Sequence, residues 1–413
     1  MPCDVKDSAV LGAMTLRFYY DIVCPFAYVA FTRVAALAAE AGVDVDYRPI
    51  LLGGLLRGVG SPVVPMDAMN PAKLRLTELD AYRQAELAGL EVQYPDSHPI
   101  RTVNAMRLVL AARDADRVAL STDLYRAYWE ENRDVSDLDV LQEIAAPYGL
   151  DARSVSADPA VRQGLFDATA QAVDAGAFGV PTFEIDGVIF WGADRMNLVR
   201  AALGLAPAHE DTAGTGRKLV FFHDMSSPFS YLASTQVARV ALEGGAELEY
   251  VPFLLGALFN AIGTPMVPLF TFSEARQAYQ RRDMADWASW WGVPFKFPSE
   301  FPLRTVSALR VAIQDPATTP HLYAAAWADD RNIGKPEVLH AVLAQAGFDA
   351  DALMAGTQNP EIKAQLRRNT ERAQASGVCG APTFQVDGGS LYWGQDRLPM
   401  VQRALAGWDP RRG

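Results

Sequence analysis

Cysteine and histidine are scarce in this chain. Its 413 residues include three cysteines, Cys3, Cys24 and Cys379, and five histidines. Cysteines so few and so far apart do not suggest a disulfide framework or a cysteine-rich zinc site. No two histidines have HxH or HxxxH spacing. Free thiols are typical of a reducing compartment. These absences predict a cytoplasmic protein with no metal site.

Positive charge and long apolar runs are also lacking. The 37 Lys and Arg residues are outnumbered by 49 Asp and Glu, which gives a formal net charge of −12. Nucleic-acid binding needs a clustered basic surface, so we expect no nucleic-acid partner. No apolar run approaches the roughly 18–20 residues that span a membrane, so we expect no membrane association. Residues 1–14 lack a signal-peptide pattern and are predicted to form a flexible tail.

The most informative pattern that is present is an internal repeat. The stretch "FYYDIVCPFAY" matches "FFHDMSSPFSY", and Cys24 aligns with Ser227, an offset of 227 − 24 = 203. "YPDSHPIRTVNAMR" matches "FPSEFPLRTVSALR" at the same offset. The repeat predicts two tandem domains over 15–204 and 218–408, joined by a linker over 205–217 that is rich in Ala, Gly, Thr and charge.

Each half has the same predicted order of elements. A buried strand is followed by a helix that begins at a proline, and then by an alternating second strand. A long helix-favouring middle comes next. A β-hairpin across Asp186–Gly187, or its counterpart, and a last helix complete the half. This order predicts an α/β protein of two thioredoxin-like domains, each with an all-helical insertion.

The turn before the first helix of each half is the first candidate site. Cys24 and Ser227 directly precede the helix N-terminus, where free N–H groups and the helix dipole stabilise an anion. This position would lower the pKa of the Cys24 thiol, or hold a ligand thiolate beside Ser227. The alternative for each is a small residue that only fills the turn.

Two motifs near the end of each half are further candidates. In "GVPTF" and "GAPTF", a cis peptide bond at Pro181 or Pro382 would expose the backbone of Val180 or Ala381 to an extended, peptide-like ligand. A trans proline would simply begin a strand. In "WGADR" and "WGQDR", the aspartate either caps the last helix or pairs with an ammonium group while helix N–H groups bind a carboxylate. These aspartates are Asp194 and Asp396.

Together the motifs resemble those of a known family. The motifs "D-x-x-[CS]-P-F-x-Y", "LGG…G-S-P", "FP-x-x-F-P-x-R-T-V", "G-x-PTF" and "WG-x-DR" cover nearly all of each half. In this combination the sequence resembles the 2-hydroxychromene-2-carboxylate isomerase and kappa-class glutathione transferase branch of the DsbA-like thioredoxin-fold superfamily. The resemblance implies a DsbA-like fold in both halves and glutathione as cofactor. Dimers are common in that family, so the fused halves could form an internal pseudo-dimer.

The resemblance also implies roles for individual residues. Ser227 would hydrogen-bond the glutathione sulfur and favour its thiolate. Ala381 would pair with the cysteinyl backbone of glutathione, and Asp396 would bind its γ-glutamyl group. Thr264 would approach glutathione at a position where the family often has asparagine. The matching positions in the first half are Cys24, Val180, Asp194 and Ser61.

The implied reaction is reversible thiolate addition to a small aromatic or enone-like carboxylate, which isomerises a cis/trans pair. A related glutathione transfer is the close variant. Arg101 and Arg304 could attract the substrate carboxylate or could be solvated. Four aromatic residues of the insert could line a substrate pocket or pack in the core, namely Tyr125, Trp129, Tyr323 and Trp327.

The two halves differ at the turn, which leaves other functions open. Cys24 suggests a DsbA-like thiol oxidoreductase, but Ala27 stands where a resolving cysteine would be. The first site could instead be a one-cysteine site linked to glutathione, or a relic. Cys379 could approach the second site or act as a small apolar filler. A non-catalytic binding protein is the remaining alternative. The second half, with Ser227, is the preferred location for the family's chemistry.

Overall fold

The computed structural model describes residues 14–207 and 216–410. The predicted tail over residues 1–14, apart from Met14, lies outside these ranges, as does most of the predicted linker. Within the two ranges, no helix is long enough and apolar enough to cross a membrane.

The first repeat contains four strands and nine α-helices among its described residues. The strands are β1 (Leu16–Tyr20), β2 (Val45–Pro49), β3 (Thr182–Ile185) and β4 (Val188–Trp191). The helices are α1 (Pro25–Ala41), α2 (Leu52–Gly58), α3 (Pro71–Leu87), α4 (Val103–Ala111), α5 (Asp114–Trp129), α6 (Leu138–Ala145), α7 (Ala152–Ala157), α8 (Pro159–Asp174) and α9 (Met196–Ala202). Short 3₁₀ turns cover Pro65–Ala68, Ala146–Tyr148 and Ala193–Arg195.

The second repeat has the same order over its described residues. The strands are β5 (Lys218–His223), β6 (Glu247–Pro252), β7 (Thr383–Val386) and β8 (Leu391–Trp393). The helices are α10 (Pro228–Glu243), α11 (Leu255–Ile262), α12 (Glu274–Trp290), α13 (Val306–Gln314), α14 (Thr319–Trp327), α15 (Pro336–Gln345), α16 (Ala350–Gly356), α17 (Pro360–Ala375) and α18 (Leu398–Leu405). Its 3₁₀ turns are Pro268–Thr271, Pro316–Thr318 and Gln395–Arg397.

Each repeat forms one four-stranded mixed sheet. The strand order is β2-β1-β3-β4 in the first and β6-β5-β7-β8 in the second. β1 runs parallel to β2 and antiparallel to β3, and β5 pairs with β6 and β7 in the same way. Helix α1 or α10 connects the parallel strands, and the other helices are inserted before the hairpin. This arrangement confirms the predicted fold class.

The hairpin turns follow from two residues in each half. Asp186 and Gly187 have φ values of 48° and 80°, and Asp387 and Gly388 have values of 50° and 72°. Positive φ at both central positions is what a tight hairpin turn requires, and Asp-Gly pairs adopt it readily. The turn predicted across Asp186–Gly187 is therefore present.

The division of the chain into compact units differs from the linear division into 15–204 and 218–408. The first unit takes described residues 14–63 and 84–207, whereas the second takes 64–83 and 216–410. Segment 64–83 therefore belongs to the first repeat in sequence and to the second unit in structure. The physical reason is apolar burial, because Leu76 packs in one hydrophobic cluster with Val220, Phe222 and Phe253.

Candidate functional site

A buried aspartate organises the turn of the second unit. Asp224 directly follows β5, and its carboxylate accepts hydrogen bonds from the Thr305 hydroxyl at 2.6 Å and the Ser226 amide at 2.9 Å. Its other oxygen accepts from the Leu255 amide at 2.8 Å. One carboxylate thus joins the end of β5 to the beginnings of α11 and α13.

The first unit repeats this arrangement with Asp21. Its carboxylate accepts from the Thr102 hydroxyl at 2.7 Å and the Leu52 amide at 2.8 Å. Burial raises the pKa of both aspartates, and the hydrogen bonds that they accept oppose the rise. Sequence reasoning gave these aspartates no role. The available signal was that both repeats keep the Asp before the turn and the Thr of "RTV".

Ser227 occupies the turn of the second unit as the N-cap of α10. Its oxygen accepts a hydrogen bond from the Ser230 amide at 3.2 Å, and its hydroxyl donates to the Ala381 carbonyl at 2.8 Å. Only 5% of Ser227 is exposed. The structure therefore brings two predicted site residues, Ser227 and Ala381, into direct contact.

Cys24 occupies the same position in the first unit, with a different outcome. Its thiol donates to the Val180 carbonyl at 3.2 Å and does not cap α1. Burial raises the pKa of Cys24 to about 12, although the amides of Phe26 and Ala27 act in the opposite direction. The predicted effect of the helix N-terminus is present, but desolvation outweighs it. The expected lowering of this pKa is therefore corrected to a rise.

The prolines of "GVPTF" and "GAPTF" both follow cis peptide bonds, so they are not the trans prolines of the alternative prediction. The cis bonds join Val180 to Pro181 and Ala381 to Pro382. Within the described part of the chain, the amides of Val180 and Ala381 donate no hydrogen bond. Each site thus offers an unpaired backbone N–H beside the residue at its turn. Cis bonds at His98–Pro99 and Phe301–Pro302 were not predicted.

The "WG-x-DR" aspartates lie in the 3₁₀ turns that directly precede the last helix of each unit. Arg195 and Arg397 hold the N-cap positions of α9 and α18, and each aspartate pairs with the arginine that follows it. Arg397 also makes a bidentate pair with Asp80, at 2.6 and 2.7 Å. Asp396 therefore lies in a charged cluster that includes Asp80, a residue of segment 64–83.

Segment 64–83 places two more polar side chains near predicted site residues of the second unit. The Asn70 amide donates to the Thr264 hydroxyl at 2.9 Å. The Lys73 Nζ lies 5.7 Å from the centroid of the Trp393 ring. Sequence reasoning missed Asn70 and Lys73 because the segment lies in the other repeat. Ser61, the first-repeat counterpart of Thr264, donates its amide to the Leu56 carbonyl at 2.8 Å.

Cys379 belongs to the same hydrophobic cluster as Ala381 and Leu76. Burial raises the pKa of Cys379 to about 12, and the nearby Lys73 ammonium opposes the rise. Burial also lowers the pKa of Lys73. These properties fit the small apolar filler and do not indicate a reactive thiol. Among the described residues, no group of three or more His, Cys, Asp or Glu could hold a metal ion.

The aromatic residues of the insert are core residues that also support the turn. Tyr125, Trp129, Tyr323 and Trp327 are completely buried. The Trp129 indole donates to the Ile22 carbonyl and the Trp327 indole to the Met225 carbonyl, both at 2.8 Å. Rings around Trp327 form an aromatic wall beside the turn of the second unit, consisting of Phe295, Phe297 and Phe301. Arg101 and Arg304 are exposed.

Comparisons with known proteins find the same domain twice. The model of the DSBA-like thioredoxin domain matches residues 15–204 and 218–406. The 2-hydroxychromene-2-carboxylate isomerase of Sphingobium xenophagum is 29% identical over 192 residues, which cover 46% of this chain and 97% of that protein. Glutathione S-transferase kappa 2 of Caenorhabditis elegans is 27% identical over 217 residues, covering 48% and 95%. A solved 2-hydroxychromene-2-carboxylate isomerase structure aligns with TM-score 0.42 and 23% identity, covering 46% of this chain and 94% of that one.

Proposed function

Because the chain belongs to the DSBA-like thioredoxin domain family, we propose that it is a glutathione-dependent isomerase or a closely related glutathione transferase. The observation that carries the proposal is the pairing of Ser227 with Ala381. The Ser227 hydroxyl, at a helix N-terminus, lies 2.8 Å from the carbonyl oxygen of Ala381, whose own amide has no partner among the described residues. Relatives of both enzyme classes support the choice of chemistry.

The donor set of the second unit fits a tripeptide that carries charge at both ends and a thiol in the middle. The free amide of Ala381 suits the backbone of the central residue. Asp396 would face the γ-glutamyl ammonium, and Lys73 would face a carboxylate. Thr264 would add a hydroxyl contact, positioned by Asn70. The corresponding groups in the first unit would be held by Val180, Pro181, Asp194 and Ser61. Pro181 is the counterpart of Pro382 in the second unit, and both follow cis bonds.

Glutathione would supply the nucleophilic sulfur for addition to an electron-poor carbon of the second substrate. Ser227 would stabilise the thiolate through its hydroxyl, and the first N–H groups of α10 would add to this effect. The aromatic wall of Phe295, Phe297 and Phe301 would face an aromatic-derived substrate. Desolvation by these rings would strengthen the hydrogen bond from the hydroxyl to the sulfur.

A thiol oxidoreductase acting through Cys24 is less consistent with the geometry. Its thiol is buried, donates to the Val180 carbonyl, and has a pKa raised to about 12. Exchange chemistry needs a thiolate near neutral pH, and Ala27 leaves no second thiol at the turn. We therefore assign the main activity to the second unit. A binding protein without turnover is separated from an enzyme by the experiment below.

The test uses the intact chain, glutathione calorimetry and two assays. One assay follows isomerisation of 2-hydroxychromene-2-carboxylate, and the other follows glutathione transfer to an electron-poor aryl halide. We expect Ser227→Ala to lower kcat/KM by about 100-fold, the usual effect of removing one donor to a developing anion. The matched variant Cys24→Ala should leave kcat/KM within about twofold of the parent. Absence of glutathione binding, or full activity in Ser227→Ala, would reject the proposal.

A further inference from the structure

The Ser227 hydroxyl already donates a hydrogen bond in the structure. It donates its one proton to the Ala381 carbonyl at 2.8 Å. A hydroxyl has a single proton, so Ser227 cannot donate to a sulfur atom while this bond exists. The Ser230 amide donates to the Ser227 oxygen at 3.2 Å and holds it in place. The hydroxyl proton can therefore change partner by rotation about the Cβ–Oγ bond alone.

The Ala381 carbonyl would be left unpaired if Ser227 simply turned away. Ala381 is only 8% exposed, and within the described residues its carbonyl accepts a hydrogen bond from Ser227 alone. A buried acceptor that loses its donor carries a desolvation cost. A replacement donor at this carbonyl is therefore required before Ser227 can serve the sulfur.

An extended ligand that pairs with Ala381 brings that donor. At a hydrogen-bonded pair of two antiparallel extended backbones, each residue donates its N–H and accepts at its C=O. The ligand's carbonyl would then accept from the free Ala381 amide, and the ligand's N–H would reach the Ala381 carbonyl.

We propose that the cysteinyl N–H of glutathione displaces the Ser227 hydroxyl from the Ala381 carbonyl and so releases it to hydrogen-bond the glutathione sulfur. This inference rests on the proposed function and concerns how the same site is regulated. The exchange keeps every buried group paired, because the carbonyl gains the ligand N–H and the thiolate gains the hydroxyl. The thiolate is also the stronger acceptor, since it carries a charge.

The first unit contains the same bond with sulfur in place of oxygen. The Cys24 thiol donates to the Val180 carbonyl at 3.2 Å, and Val180 also has an unpaired amide within the described part of the chain. The contact between the turn residue and the residue before the cis proline is thus built into both repeats. A simple thiol without a peptide backbone cannot displace it and would not recruit Ser227.

The experiment compares glutathione with its depsipeptide analogue, in which an ester oxygen replaces the cysteinyl N–H. The analogue keeps the shape and the thiol but cannot donate to Ala381. The thiol pKa of each ligand is measured at saturation on the intact chain, from the ultraviolet thiolate band after subtraction of ligand-free protein. Each value is compared with that of the free ligand, and both ligands are also measured on Ser227→Ala.

We expect bound glutathione to have the lower thiol pKa relative to its free form, by about one unit or more beyond the shift of the analogue. On Ser227→Ala the two ligands should show equal shifts. Equal shifts on the parent chain, together with a smaller shift on Ser227→Ala, would overturn the inference and leave the proposed function intact. Failure of glutathione to bind, or no effect of Ser227→Ala on its thiol, would instead overturn the proposed function.

Discussion

At the scale of single residues, the two turns differ in the side chain that precedes the helix, which is Cys24 in the first and Ser227 in the second. Ser227 and Cys24 contact equivalent carbonyls, but only the serine accepts a helix amide as an N-cap. The oxygen side chain is compatible with burial because the proposed role of Ser227 uses its neutral hydroxyl. The sulfur side chain is useful as a nucleophile only when charged, and burial disfavours the charged form. Burial at this position therefore favours a neutral hydroxyl and disfavours the thiolate form of Cys24.

The reactivity of the Cys24 thiol can be measured by its rate of alkylation. A pKa raised from 9.0 to about 12 keeps Cys24 protonated through neutral pH. In a Cys3→Ser, Cys379→Ser chain, we expect iodoacetamide to react with Cys24 about 1,000-fold more slowly at neutral pH than with an ordinary thiol. The rate should rise about tenfold per pH unit up to the pKa. A plateau near neutral pH would contradict this expectation and favour the oxidoreductase alternative.

Asp224 is the residue whose loss should disturb the second turn most. Asp224→Asn places an NH2 group where an oxygen now accepts from Leu255, Ser226 or Thr305, so one donor is left facing another. We expect a loss of about 2 kcal/mol in the free energy of unfolding and a fall of about tenfold in kcat/KM. Urea unfolding and the isomerase assay measure the two effects.

Asp21→Asn is the matched control, because Asp21 makes the equivalent bonds in the first unit. It should show a similar stability loss with kcat/KM little changed. Equal losses of activity in both variants would mean that Asp224 acts through general stability and does not position Ser227.

At the scale of elements, the sequence predicts the helices, turns and strands that depend on neighbouring residues in the chain. Pro25 and Pro228 begin helices, Asp-Gly pairs form the hairpin turns, and the apolar strands lie where their patterns predicted. Asp224 and Thr305 lie 81 residues apart, so their contact has no local signature. The pKa of Cys24 could not be predicted either, because it depends on burial by residues distant in the chain.

Segment 64–83 belongs to the first repeat by its sequence, but it packs in the second unit. The sequence predicts that this segment is helical, but it does not indicate the apolar surface against which the helix packs. We expect Leu76→Ala to lower the free energy of unfolding of the second unit by about 2–4 kcal/mol, because Leu76 is 7% exposed in that unit's cluster. Arg75→Ala, at an exposed position of the same helix, is the control and should cost under about 0.5 kcal/mol.

Tryptophan fluorescence during denaturation can follow this effect. Of the eight tryptophans, those at 129 and 191 lie in the first unit and the other six in the second. A change in the first unit's transition alone would be inconsistent with the position of Leu76. The second unit's tryptophans are Trp287, Trp290, Trp291, Trp327, Trp393 and Trp408.

At the scale of the whole molecule, the two repeats are not two interchangeable pieces. A fragment of residues 217–413 would lose Leu76, the Asp80–Arg397 pair and the bond from buried Arg83 to the Leu391 carbonyl at 2.7 Å. We expect this fragment to unfold at a lower urea concentration than the second unit of the intact chain. Addition of a peptide of residues 64–83 should restore part of the difference.

Comparison of the fragment with the intact chain tests whether segment 64–83 contributes to the stability and the glutathione affinity of the second unit. If the fragment matched the intact chain in urea midpoint and glutathione affinity, segment 64–83 would contribute nothing to the second unit. A weaker fragment whose affinity recovers with the peptide would assign the contribution to Asn70, Lys73 and Asp80 and to the burial of Leu76.

Because of segment 64–83, the second unit depends on residues that are encoded in the first repeat. The segment's codons belong to the first copy of the duplicated gene, yet its side chains complete the second unit. If Ser227 carries the proposed chemistry, selection for that chemistry would also act on this part of the first copy. A gene that shed its first copy would also lose part of the second copy's core.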